Sequence, residues 1–196
     1  MRRSDSPRLL IVPGLHDSGP AHWQSWLQGL HRDTVRVRQQ DWSEPELDRW
    51  SARIADTLAQ AGDGPFVAAA HSFGCLALVH HLAQQRDSPI VAALLVAPAD
   101  PRRFGIAGRL DAHPLARSTT VVSSDTDPWM SAGEARRWAR LWGSHVVSLG
   151  DAGHINVDAG FGPLPLAARW VDGMRQRHAR GRRPRHAVFA EWSFAT

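Results

Sequence analysis

Residues 68–78 read AAAHSFGCLAL, and this stretch decides how the chain is read. Up to it, PFVAAAH (65–71) is a continuous apolar run of strand length. Beyond it, FGCLALVHHLAQQ (73–85) is long enough, and apolar on enough sides, for a buried helix. Ser72 stands at the joint, with Ala70 two residues before it and Gly74 two after. A sharp strand-to-helix turn can hold a serine hydroxyl above the end of a sheet, but strand and helix backbones then approach closely. Both flanking positions must therefore be small. The pattern here is A-x-S-x-G where G-x-S-x-G is commoner. A serine at this point is also an ordinary helix N-cap. The strand–serine–helix context favours the nucleophile.

Working outward, strand-like and helix-like segments alternate along the whole chain. RLLIVPG (8–14), TVRVRQ (34–39), IVAALLVA (90–97), TTVVSS (119–124) and HVVSLG (145–150) join 65–71 as six strands, the alternating second one nearer a sheet edge. Between them, Trp23, Trp26, Leu27 and Leu30 form one helix face, with Pro20 in its first turn. Leu47, Trp50, Ile54 and Leu58 form another, after a capping box at 43–46 (SEPE). A second box at 131–134 (SAGE) opens a helix carrying Trp138, Leu141 and Trp142, and Leu166, Trp170 and Met174 mark the last helix. Residues 98–118 make a Pro/Gly/Arg-rich insertion long enough for a small cap. No internal repeat is visible. Six strands interleaved with helices predict a parallel sheet covered on both faces. Ligands in such sheets sit beyond the carboxyl ends of the strands.

That rule directs attention to the loops after strands. A serine hydroxyl is a weak nucleophile and needs a base, and with this kind of turn the partners follow in the order serine, acid, histidine. DTDPW follows the fifth strand and offers Asp125 and Asp127. Pro128 would stiffen the backbone behind Asp127, whereas Asp125 reads as a turn former. DAGHINVDAGFG follows the sixth strand, and His154 is the histidine in the right order. For an oxyanion hole the chain offers the backbone N–H of Phe73 and, from the loop PGLHDSG after the first strand, that of Leu15, with Gly14 allowing the close turn. His16 and Trp129 are the candidates to line a substrate pocket. Cys75 reads as a small buried hydrophobe. His16, Asp17 and His22 match no metal-binding spacing, so neither metal nor organic cofactor is expected. The chain has no G-x-G-x-x-G and no P-loop, so no nucleotide site is expected. The nine tryptophans fall mostly on helix stripes.

Composition sets the outer bounds. At 196 residues, 43% apolar and 21% charged, the chain has the size and balance of one globular domain. A single cysteine rules out an intramolecular disulfide and suits a reducing compartment. The apolar stretch after Arg2 and Arg3 is too short for a secretory signal, and no run approaches a membrane span. A cytoplasmic protein with no membrane association is expected. Residues 175–196 hold six arginines and one glutamate, a net +5 against +4 for the whole chain, so the first 174 residues sum to about −1. The basicity thus belongs to a tail, 175–196, expected to be a flexible extension of a 1–174 domain. Nucleic acid is not expected as a partner on this reading.

Taken together, PGLHDSGPAHWQSWL, AHSFGCLA, SSDTDPW and GHINVDAGFGPLP resemble the small serine hydrolases that include retinoblastoma-binding protein 9 and the bacterial YdeN-type predicted esterases. The resemblance spans about residues 8–174, with four motifs in order. It implies a minimal α/β-hydrolase fold, a three-layer sandwich around a six-stranded parallel sheet that lacks the first two strands of larger relatives. It implies the same catalytic set, Ser72, Asp127 and His154. His22-Trp23 and the GFG at 160–162 are marks of the family without an assigned role. The chain has no L-x-C-x-E segment, so retinoblastoma binding does not carry over. The expected activity is hydrolysis of carboxylic esters, or of small amides, through an acyl-enzyme. Two alternatives use the same residues or the same fold: acyl transfer to an acceptor other than water, and a binding protein whose arginine-rich tail recognises the partner.

Overall fold

Each of the six apolar runs forms a strand in the computed structural model, which describes residues 6–110 and 113–181. They are β1 (Arg8–Val12), β2 (Thr34–Arg36), β3 (Phe66–His71), β4 (Ile90–Val96), β5 (Ser118–Ser123) and β6 (His145–Ser148). All pair in parallel, in the order β2-β1-β3-β4-β5-β6. Central strands of such a sheet are buried on both faces, which is why their sequences run apolar without alternation. Along β1 and β3 the side chains still point alternately to two separate cores. Leu10, Val12, Ala68 and Ala70 face one, and Leu9, Ile11, Val67 and Ala69 face the other.

The first core is closed by α2 (Leu47–Ala61), α3 (Phe73–Gln84) and α4 (Ala132–Leu141), through Trp50, Ile54, Leu76, Trp138 and neighbours. The second is closed by α1 (Trp23–Leu30) and α5 (Pro165–Gly181), through Trp23, Leu27, Ala167 and Val171. The result is the three-layer, six-stranded α/β-hydrolase architecture. The chain leaves β1 for the edge strand β2 and returns through α2 to β3 on the other side of β1. Strand order reverses there, so the loops after β1 and β3 open a crevice at the carboxyl end of the sheet.

Local details depart from the sequence reading. The box at 43–46 is not used: Glu46 itself caps α2, accepting from the N–H groups of Asp48 and Arg49, while the Ser43 hydroxyl donates to Asp41. Pro20 lies ahead of α1, whose cap is His22. Leu30, at the end of the expected stripe, is 53% exposed where the helix runs out. Ser131 does cap α4, accepting from the Glu134 N–H. Within 98–118 the chain makes two short 3-10 turns, Pro101–Phe104 and Ala107–Arg109, and Ile106 and Leu110 anchor them to the first core. Of the basic segment 175–196, the first seven residues continue α5, where Arg175 donates to the Pro7 carbonyl at 2.9 Å. Residues 182–196 lie outside the described residues. No helix among the described residues is long and apolar enough to cross a membrane.

Candidate active site

Ser72 joins β3 to α3 with φ 54° and ψ −126°, a conformation that a non-glycine residue adopts only when its surroundings compel it. The compulsion is visible in the glycines around it. A Cβ on Gly14 would lie 2.8 Å from the Ser72 Cβ, and one on Gly74 would run into the backbone of Val12 and Pro13. His16 and Asp17, in the loop after β1, and Ile155, after His154, also have positive φ. Ala97, just past the end of β4, is the other non-glycine residue with positive φ among the described residues, so most of this strain gathers around one cavity.

The expected polar residues converge at that point. Ser72 Oγ donates to His154 Nε2 at 2.9 Å, and His154 Nδ1 donates to Asp127, 2.9 Å from Oδ1 and 3.1 Å from Oδ2. The Asp127 side chain is 3% exposed and that of His154 9%. Asp127 Oδ1 also accepts the Trp129 N–H at 2.8 Å, which fixes the carboxylate. Asp125 is turned away, its Oδ1 accepting from Ser148 at 3.4 Å.

Phe73 opens α3, so its N–H has no acceptor inside the helix. In the loop after β1, the N–H of Leu15 has no hydrogen-bond partner among the described residues, while that of His16 donates to the Trp42 carbonyl at 2.9 Å. Two free donors therefore flank the serine. The loop is held by Gln24, a buried side chain that the sequence reading passed over. Its Nε2 donates to the carbonyls of Val12 and Ala69, and its Oε1 accepts from Ser18. Arg36 adds bonds to Asp17 and to the Ser18 carbonyl, each 2.6 Å.

Ser72, His154, Leu15 and Asp17 line a cavity of about 230 Å³, and His16, His22, His71, Trp129, Asn156 and Asp158 complete its wall. Trp129 is braced by Phe104, stacked nearly parallel at 6.4 Å, and by the Arg103 guanidinium 5.3 Å above its ring. His71 escaped the sequence reading, and His22 entered it only as a rejected metal ligand and as a family mark without an assigned role, although both stand inside quoted motifs. Burial, then Arg36 and His154, push the His22 imidazole down to about 4. Burial, then His154 and His22, push His71 well below the usual range. Both rings are neutral near pH 7. His16, Asp17 and His22 border the cavity without forming a metal cluster, and no group of three such side chains among the described residues could hold an ion.

A second serine–histidine pair, Ser88 Oγ and His81 Nε2 at 3.0 Å, lies by a larger hollow at the amino ends of the strands. The other nitrogen of His81 is buried without a partner, so no carboxylate orients that ring. Among the described residues, only the Ser72 site has a serine, a histidine and a carboxylate joined in line by hydrogen bonds.

The profile of the serine hydrolase family matches residues 9–173. The chain belongs to the serine hydrolase family. Among solved structures, this serine hydrolase is similar to a protein assigned as a YdeN-like hydrolase from Pectobacterium atrosepticum, with 39% identity and a TM-score of 0.84 over 89% of this chain and 94% of that one. The ydeN gene product of B. subtilis shares the fold at 17% identity, with a TM-score of 0.72 over 86% and 98% of the two chains. So does the esterase RhEst1 from Rhodococcus sp., at 15% identity and 0.64 over 90% and 92%. No curated protein matches the chain.

Proposed function

We propose that this serine hydrolase is a carboxylesterase that works through an acyl-enzyme, with Ser72, His154 and Asp127 as its catalytic triad. The observation that carries the reading is the unbroken chain Ser72 Oγ to His154 Nε2 to Asp127 at 2.9 Å per step, on a strained turn. In this mechanism Ser72 attacks the ester carbonyl as His154 takes the hydroxyl proton. Asp127 keeps the imidazole in the tautomer that presents a bare Nε2 and stabilises the cation that forms. The N–H groups of Phe73 and Leu15 receive the negative charge that develops on the carbonyl oxygen. His154 returns its proton to the departing alcohol, and water then repeats the sequence to release the acid and free Ser72.

A cavity of about 230 Å³ favours esters of short acids or alcohols over long lipid chains. A cytoplasmic setting agrees with the one cysteine, Cys75, which is free and buried. The test is fluorophosphonate labelling followed by a panel of short to long acyl esters. The parent and Ser88→Ala should label, and Ser72→Ala and His154→Ala should not. A folded parent that stays unlabelled while a known serine hydrolase reacts would end the esterase reading.

A further inference from the structure

His22 and His71 stand side by side on the cavity wall, ring centroids 4.8 Å apart, and the proposed chemistry uses neither as a proton carrier. Their hydrogen bonds settle which nitrogen of each ring bears a proton. The Gln24 backbone N–H donates to His22 Nδ1 at 3.2 Å, so in the neutral ring Nδ1 is bare and the proton sits on Nε2. The His154 carbonyl lies 2.9 Å from His71 Nε2 and can only accept, so there the proton is on Nε2 and Nδ1 is bare.

What remains is one donor, His22 Nε2–H, and one acceptor, His71 Nδ1. Neither has a hydrogen-bond partner among the described residues, and neither is sealed from solvent. His22 is 5% and His71 6% exposed, and both residues line the cavity. Trp23 and His154 pack on the remaining sides of the His71 ring, at 6.1 and 4.8 Å, so the pair is held in place.

We propose that His22 and His71 form a recognition element for a neutral substrate group that both donates and accepts a hydrogen bond, a hydroxyl or a carboxamide close to the scissile carbonyl. The inference deepens the esterase reading and rests on it. A purely aliphatic substituent at this place would leave two polar atoms unpaired as it displaced their water, which a site of this kind penalises. An anionic substituent is disfavoured by Asp158 on the same wall and by rings that carry no charge. The pair lies close to the reacting centre, since the His71 ring centroid is 4.8 Å from that of His154, whose Nε2 is 2.9 Å from Ser72 Oγ.

The experiment compares esters that differ by one hydroxyl. Phenyl butyrate is set against phenyl 3-hydroxybutyrate, and ethyl butyrate against 2-hydroxyethyl butyrate. Each rate is divided by that ester's own alkaline hydrolysis rate. The hydroxylated member of at least one pair should have a kcat/KM at least about tenfold higher. His22→Asn keeps an N-cap acceptor for α1 but has no atom where Nε2 stood, and it should bring that ratio close to one. His22→Ser, a cap of the same class, replaces it if the asparagine variant loses the parent's circular dichroism. A parent that labels with fluorophosphonate yet shows no preference in either pair overturns this inference alone. So does a preference that survives unchanged in a folded His22 variant. A parent that does not label overturns the esterase reading and this inference with it.

Discussion

Gly74, in the first turn of α3, lies against the backbone of Pro13 at the end of β1 with no room for a side chain. A Cβ there would collide with the Pro13 carbonyl oxygen and stand 2.7 Å from that of Val12. Those obstacles are backbone atoms at the end of β1 and just past it, and cannot swing aside. Gly74→Ala must therefore push α3 outward or shift β1, and overpacking of this sort costs about 1–3 kcal/mol. At this chain length the Tm should fall by about 2–4 °C per kcal/mol. Because Ser72 and Phe73 sit on the same turn, fluorophosphonate labelling should slow as well. A scanning calorimetry trace and a labelling time course read the two effects separately. Unchanged values in both would mean that the contact yields easily.

The two aspartates after β5 offer a sharper contrast. Asp127 accepts from His154, and Asp125 accepts only a 3.4 Å bond from Ser148. Asp127→Asn keeps the shape but presents a donor on one side, which favours the wrong imidazole tautomer. Its kcat on a short ester should fall by about 10³–10⁴-fold. Asp125→Asn should stay within about threefold of the parent, as surface changes away from a site commonly do. Equal losses at both positions would remove Asp127 from the proposed triad.

Much of this site could be read in the sequence because each of its groups follows a strand, and strands of a buried parallel sheet announce themselves as apolar runs. Ser72, Asp127 and His154 lie 55 and 27 residues apart in the chain, yet the strand-end rule alone brings their loops to one edge. Gln24, His22 and His71 were not legible as site residues, for different reasons. Gln24 sits on a helix face and bonds to carbonyls of β1 and β3, an event of tertiary packing with no sequence signature. His22 carried a signal, since a histidine just ahead of an apolar helix stripe stands at the N-cap position, but histidine is not among the usual caps. His71 was hidden by its place in the strand, where the residue before the serine reads as more sheet. The misplaced box at 43–46 has a plain cause. Pro45 and Glu46 are followed by the helix only at Leu47, so the carboxylate meant for a reciprocal bond becomes the cap itself.

Cys75 is three residues beyond Ser72, and its setting forecasts inertness. The thiol is buried, and burial pushes its ionisation well above the ordinary range, with the nearby Asp127 charge adding to the effect. Thiolate is the reactive form. Native protein should therefore give almost no colour with Ellman's reagent over a time in which the unfolded chain in guanidinium releases one equivalent. Rapid reaction in the native state would contradict the packing of α3 against β4, where Cys75 Sγ lies 3.5 Å from the Val96 carbonyl.

Acid should unfold this protein earlier than its carboxylates alone would dictate. His22 and His81 are each pushed down to about 4, and His71 is lowered well below its usual range, with burial the leading cause in all three. In the unfolded chain the same rings bind protons near pH 6.5. Above that value both states are neutral and the three rings contribute no pH dependence. As the pH falls from about 6.5 towards 4, the unfolded state takes up protons that the folded state refuses, so stability declines across that window. Urea midpoints measured at about pH 7.5, 6 and 5 should drop steeply over the last interval. His81→Gln should flatten the profile by removing one of the three titrations, and it lies far from Ser72, beside Ser88. A midpoint constant from about pH 7.5 to 5 would require all three rings to accept protons inside the folded protein. That is incompatible with the donated bond from Gln24 to a bare His22 Nδ1.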